Sequence, residues 1–316
     1  MSFEAIDLDD IKTCSIKKRK SKVKVKDFSK VFEPDDYFEN FISSFPNILT
    51  GKDIRSLTDI IVATVRRNGE VVLMLGAHVI KCGLSTIIID LIENEVVTSI
   101  AMNGAGGIHD FEIGVWGETS EDVASGLKVG KFGIWEETGR LMNEAISEGK
   151  GDGIGLGEAL GKKIVDLGTS YKKYSLLAKC YETKIPCSIH VAFGTDIIHY
   201  HPTFDGGVTG EMTLTDFKIF AKVISRLEGG VVMNIGSCVI LPEVFLKALN
   251  CARNLGYRVE KFTACNFDQI EHYRPMKNVC ERPTATGGKS FSIIGRHEIV
   301  IPLLAGIIKY KLSRSG

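Results

Sequence analysis

Short apolar runs that end in small and polar residues, each followed by helical periodicity, recur along this chain and restrict it to few folds. Val71–Leu75 runs into Gly76-Ala77-His78, and Gly83–Asn94 then reads as a helix. Val96–Ala101 is the next run. It enters the stretch Met102–Glu112, MNGAGGIHDFE, which reads as a glycine turn carrying ionisable side chains. Further runs are expected over Ile185–Phe193, Gly229–Ile235, Tyr257–Thr263 and Ser290–Ile294. Helices are expected over Gly51–Asn68, Ile134–Gly149, Tyr174–Lys184, Leu214–Leu227, Pro242–Leu255 and Glu298–Tyr310. Strand and helix in alternation predict an α/β fold: a doubly wound, mostly parallel, Rossmann-like sheet with helices on both faces. Residues 1–50 read as an N-terminal arm and docking helix, and residues 51–316 as one large domain.

In such sheets ligands bind outside the carboxyl ends of the strands. Five predicted ends, near His78, Asn103, Gly194, Gly236 and Ala264, carry small and polar residues. Glycines there allow the backbone to approach a phosphate or a flat ring. Asp268, at the expected tip after Tyr257–Thr263, reads as a carboxylate for a ribose hydroxyl or an amine, or as a cap. Phe204–Thr213 reads as a loop, and Lys150–Leu160, with its GxGxG spacing, as a loop followed by a helix. His199 and His201 have the spacing of a metal pair, but no Cys or carboxylate cluster completes it, so no metal is expected.

The formal net charge is zero, so no global field favours nucleic acid or an anionic membrane. Seven basic residues between Lys17 and Lys26 read as an exposed arm. No apolar run approaches the roughly 20 residues of a membrane helix, and no secretion signal is read, so a cytoplasmic protein is expected. Eight scattered cysteines without a CxxC pair suggest reduced, mostly buried thiols.

Five segments in order resemble those of deoxyhypusine synthases. Asn103–Phe111, NGAGGIHDF, is similar to that family's TTAGGIEED. Gly76–Gly83, GAHVIKCG, is similar to TSNLISSG, and Asn234–Leu241, NIGSCVIL, to GGGVVKHH. Thr263–Pro275, TACNFDQIEHYRP, is similar to TAQEFDGSDSGARP, and Val300–Leu304 matches VFPLL. The resemblance implies an NAD-binding core, a homotetramer with active sites between subunits, and a polyamine substrate such as spermidine. The implied reaction oxidises a secondary amine with NAD and transfers an aminobutyl group to an acceptor amine. It places Gly76, His78, Asn103, Gly104, Gly106 and Gly107 at the cofactor, with Gly236, Ser237, Thr263, Ala264 and Asp268. Asp110, Glu112, Asp196 and Glu271 would hold the polyammonium, and His109 or His272 would move the proton.

The chain also departs from the family. The place of the nucleophilic lysine in SWGK reads Glu281-Arg282-Pro283. Arginine stays protonated and cannot form an imine. Lys289, or Lys277, is the expected substitute. The GSDSG after Asp268 is absent, and His109 stands where the family has the first of two glutamates. An NAD-dependent amine oxidoreductase and a non-catalytic NAD-binding paralogue are the alternatives on this scaffold.

Overall fold

The computed structural model describes residues 37–314, together with Lys26 and Lys30. The rest of the basic stretch Ile16–Phe28 lies outside the described residues. The chain falls into two units, residues 1–52 and 53–316. In the first, α1 (Phe38–Ser44) brings Phe41 against Phe38 and Phe45, with ring centroids 5.9 and 5.1 Å apart. Helix α2 (Leu49–Arg66) begins in this unit and ends in the second.

The second unit is built on one sheet of six strands: β1 (Val71–Leu75), β2 (Ser99–Asn103), β3 (Cys187–His190), β4 (Val231–Ile235), β5 (Thr263–Asp268) and β6 (Lys289–Ile294). Every pairing is parallel and the order is β3-β2-β1-β4-β5-β6. Parallel neighbours need crossovers, and these are helical: α3 (Ala77–Lys81) and α4 (Ser85–Glu93) precede β2. Between β2 and β3 come α5 (Gly104–Trp116), α6 (Val123–Lys128), α7 (Glu136–Asp152), α8 (Leu156–Leu167) and α9 (Leu176–Thr183). α10 (Gly206–Ile224) precedes β4, α11 (Ile240–Asn254) precedes β5, and the C-terminal helix spans His297–Ser313. Helices cover both faces, as the alternation predicted.

β1, β4 and β5 are buried along their whole length, as strands covered on both faces must be. One side of the sheet, through Val72, Met74, Val232 and Ala264, packs on Phe220 of α10 and Phe245 of α11. Burying one such ring stabilises the fold by roughly 1.5–3 kcal/mol. Asn234 and Asn266 interrupt this apolar interior as a polar rung. They are partners in the β4–β5 register, and Asn234 Nδ2 donates to Asn266 Oδ1 over 2.7 Å. All seven cysteines among the described residues are free. No helix among the described residues is long and apolar enough to cross a membrane.

Three expectations are corrected. Met102–Glu112 is not a turn: β2 closes at Asn103, whose side chain accepts from Gly106 N over 3.0 Å and caps α5. Helix α10 begins at Gly206, inside the expected loop, with Asp205 as its cap. β5 starts at Thr263, where the expected strand ended. That slip of about a strand's length carries consequences for the site.

Candidate functional site

A cavity of about 670 Å³ lies over the carboxyl ends of β2 and β3. Its floor comes from α5, which presents Ile108, His109, Glu112 and Trp116. The loop after β3 adds Thr195 and Asp196, and Trp135 stands just before α7. Five carboxylates line it (Glu112, Glu118, Glu121, Glu137 and Asp196), facing one lysine, Lys81 at the end of α3.

Glu112 is held by two hydroxyls. Thr138 donates to Oε1 over 3.0 Å, and Thr119 donates to Oε2 in a very short bond. Burial raises the Glu112 pKa above its ordinary value, and the two hydroxyls oppose that shift. His109 Nδ1 lies 2.7 Å from the same Thr119 oxygen. The Thr119 hydroxyl has one hydrogen, and Glu112 takes it. His109 is therefore assigned as the Nδ1–H tautomer, donating to Thr119 and leaving an acceptor lone pair on Nε2. Burial, and then the charge of Lys81, lower its pKa. A neutral imidazole with a free lone pair is a proton acceptor.

Asp196 is nearly buried, and burial pushes its pKa up to about 6. Its Oδ2 has no hydrogen-bond partner within the protein. Gly104 makes room for it: a Cβ at that position would fall 2.0 Å from Oδ2. His199 Nδ1 accepts from the backbone of Gly194 (3.2 Å) and Asp196 (3.3 Å), so its hydrogen is on Nε2. That nitrogen stops 3.8 Å from Oδ2, beyond hydrogen-bond reach, and is itself unpartnered.

Asp110, two residues before Glu112, does not face this cavity. It is fully buried and accepts from Ser175 Oγ (2.6 Å), Leu176 N (2.8 Å) and Leu177 N (2.9 Å). It caps the amino end of α9 rather than holding a ligand. Burial raises its pKa to about 6 against those three bonds. Glu271 is exposed beyond β5, away from the cavity lining.

Topology sets a second locus. The order 3-2-1-4-5-6 is that of dinucleotide-binding sheets, which reverses between β1 and β4. Gly76 and Gly236 meet at that switch point: a Cβ on Gly76 would fall 2.1 Å from Gly236 O. Gly236 has φ +69°, the left-handed region. The two backbones pack on each other there, and the His297 ring lies over Gly236, its Cε1 2.8 Å from where a Cβ would stand. His78 and Asp268 flank the switch point, and Gln269 Nε2 bridges to His78 Nε2 over 2.9 Å. Ser237 is buried, its Oγ accepting from Leu241 N over 3.3 Å. Gly106 and Gly107 are buried inside α5, where a Cβ on Gly107 would meet Ile189 Cδ1 at 2.7 Å.

Three expected site residues fall at the wrong end of the sheet. Thr263 opens β5, Ala264 follows it, and Thr263 pairs with Lys289 at the start of β6. All three therefore sit at the amino edge, a five-residue rise of roughly 16 Å from the ligand edge. Lys289 cannot serve a site built around His109. Lys277 is paired with Glu281 on the same helical turn. The lysine that does line the cavity, Lys81, was not picked out from the sequence, because nothing in VIKCG distinguishes it from a solvated charge. Thr119 and the two tryptophans were missed for the same reason. His199 and His201 do not converge: His199 packs on Asp196, and His201 bonds Thr203.

No protein-family model and no curated protein matches the chain. Among solved structures it is similar to a candidate deoxyhypusine synthase from Entamoeba histolytica. The identity is 13% and the TM-score 0.51, over 88% of this chain and 95% of that one. It is also similar to a conserved LOR/SDH-type protein from Methanococcus maripaludis S2, with 14% identity and TM-score 0.50, over 88% and 72%. Against ArgZ, an arginine dihydrolase of cyanobacteria, the identity is 13% and the TM-score 0.49, over 85% of this chain. The chain spans about a third of ArgZ's length. With the first two, what is shared is the fold.

Proposed function

We propose that this chain is an NAD-dependent enzyme that binds a polyamine such as spermidine in the α5 cavity and breaks one of its C–N bonds. The observation that carries the reading is the unpartnered, buried Asp196 Oδ2 in a cavity with four further carboxylates and two tryptophans. A buried acceptor without a donor is costly, and an ammonium group supplies both donor and charge. The indole faces suit cationic methylenes. The reversal of strand order at the β1–β4 switch point, with Asp268 beside it, suits a dinucleotide, and NAD bound there would supply the hydride acceptor.

Within this scheme His109 Nε2 takes a proton from a secondary ammonium, giving the neutral amine. Loss of hydride from the adjacent carbon leaves an iminium. An acceptor amine then adds to that carbon, the original C–N bond breaks, and returned hydride closes the cycle as an aminobutyl transfer. The likeness in fold to a candidate deoxyhypusine synthase supports this scaffold. The homotetramer belongs to the same proposal.

A second reading has its own support. Lys289 lies at the far edge of the sheet and Lys277 is ion-paired, so neither expected lysine takes the alkyl group; with water as the acceptor the protein is an amine oxidoreductase. Calorimetric titration with spermidine, with and without NAD, tests both. Spermidine is expected to bind, and Glu112→Gln to weaken it about tenfold, the worth of a lost charge-assisted contact of roughly 1.4 kcal/mol. Equal affinity in wild type and variant removes the cavity from the reading. NADH formed from spermidine without an added acceptor amine selects the oxidoreductase.

A further inference from the structure

Beside the switch point, three side chains of different chemistry converge. Cys238 follows β4, Asp268 ends β5, and His272 stands four residues after Asp268. One ligand atom from each lies within 4.8 Å of the others. Cys238 Sγ is 3.7 Å and His272 Nε2 3.9 Å from Asp268 Oδ2. Donors on a tetrahedral zinc, at 2.0–2.3 Å, stand about 3.3–3.6 Å apart. The two edges that meet at Asp268 need a contraction of a few tenths of an ångström, and the third, between Cys238 and His272, closes from within 4.8 Å.

The triangle is also held in place. Asp268 Oδ1 accepts from Gln269 N over 2.8 Å, which fixes the carboxylate, and Oδ2 accepts the long thiol hydrogen bond of Cys238, which an ion would replace. The loop carrying Cys238 is tied down twice: Gly236 N donates to Phe267 O (2.9 Å), and Asn234 Nδ2 to Ser237 O (2.9 Å). Such supporting bonds orient ligands before the ion arrives. His272 is about a third exposed, which leaves an entry path and an open fourth position.

We infer that Cys238, Asp268 and His272 form a three-ligand site for a thiophilic divalent cation of the zinc type. Thiol, imidazole and carboxylate together select zinc over calcium or magnesium, which take oxygen ligands. The thiol loses its proton on binding, and the positive ion relieves the clash between a thiolate and Asp268. This goes beyond the polyamine reading and does not depend on it. Under that reading, however, Asp268 serves a ribose, so cation and dinucleotide would exclude each other.

The test uses the full chain, reduced, chelator-treated and free of NAD, titrated with cobalt(II) and then zinc sulfate. Expected are one cobalt per chain, visible bands of tetrahedral intensity, a thiolate-to-cobalt charge-transfer band, and displacement by zinc. Cys238→Ser should abolish the charge-transfer band. His272→Ala should keep it while weakening binding about tenfold or more. Absence of the band in the wild type, or a band undiminished in Cys238→Ser, overturns the site. Both variants sit at partly exposed positions, and circular dichroism of each is the control for folding. Because NAD is absent, failure of the polyamine reading leaves these outcomes unchanged.

Discussion

Asp110 and Glu112 stand two positions apart on α5, about 200° around the helix, and so serve opposite sides of it. Glu112 lines the cavity, and Asp110 ties down α9. Asp110→Ala would strip two buried backbone donors and one hydroxyl of their acceptor. A loss of stability of about 2–4 kcal/mol is expected, read as a lower denaturant midpoint. A midpoint unchanged from wild type would mean that water satisfies those donors. The motif NGAGGIHDFE drew attention to the right residues. It did not separate their roles, because a turn has no faces and a helix does.

At the scale of elements, the central strands and most helices were legible because their apolar residues recur at the right periods. β5 was not. Tyr257–Thr263 alternates like a strand, whereas the true strand, TACNFD, carries Asn266 and Asp268 and resembles a loop tip. Asn266 is tolerated inside because Asn234 meets it across β4, a pairing invisible to any one segment. The misplacement of Thr263 and Ala264 follows from that slip; that of Lys289 comes from its closeness in sequence to the place of the family's missing lysine, which does not fix a sheet edge. α5 was missed because its glycines look like a turn; in the folded chain they are where other groups come close. Gly104 is the clearest case. Alanine is the better helix former, so Gly104→Ala costs the helix nothing, yet its methyl displaces Asp196. Spermidine affinity is expected to fall about tenfold at an unchanged circular dichroism spectrum. Retained affinity would place the ammonium elsewhere.

For the whole molecule, buried acids contribute stability that falls as pH rises, against buried His190, whose pKa burial lowers to about 4. Asp110 and Asp196 are raised to about 6, and Asp216 to about 7, burial being the largest cause in each. Unfolded, each carboxyl titrates near 4. Between those values the native state binds more protons than the unfolded chain, so the stability these groups give is complete below about pH 4. It is lost as pH rises through 6 to 7. Asp216 Oδ2 accepts from Ile189 N (2.7 Å) and Gly157 N (2.9 Å), which an amide oxygen can also do. Asp216→Asn should therefore flatten the stability profile between pH 4 and 7 by a few kcal/mol. Parallel profiles for wild type and variant would show that Asp216 titrates normally.

A chain of zero formal charge that gathers five carboxylates around one opening must carry its compensating positive charge elsewhere. Viewed from a distance the molecule attracts nothing; viewed from the opening it draws in cations. Capture of a polycation would then be a matter of approach as much as of grip. Raising ionic strength should slow the association rate several-fold while leaving dissociation nearly constant, because screening acts on the encounter and not on the desolvated contact. Stopped-flow mixing at two salt concentrations reads both, and an association rate indifferent to salt would mean that the opening exerts no pull.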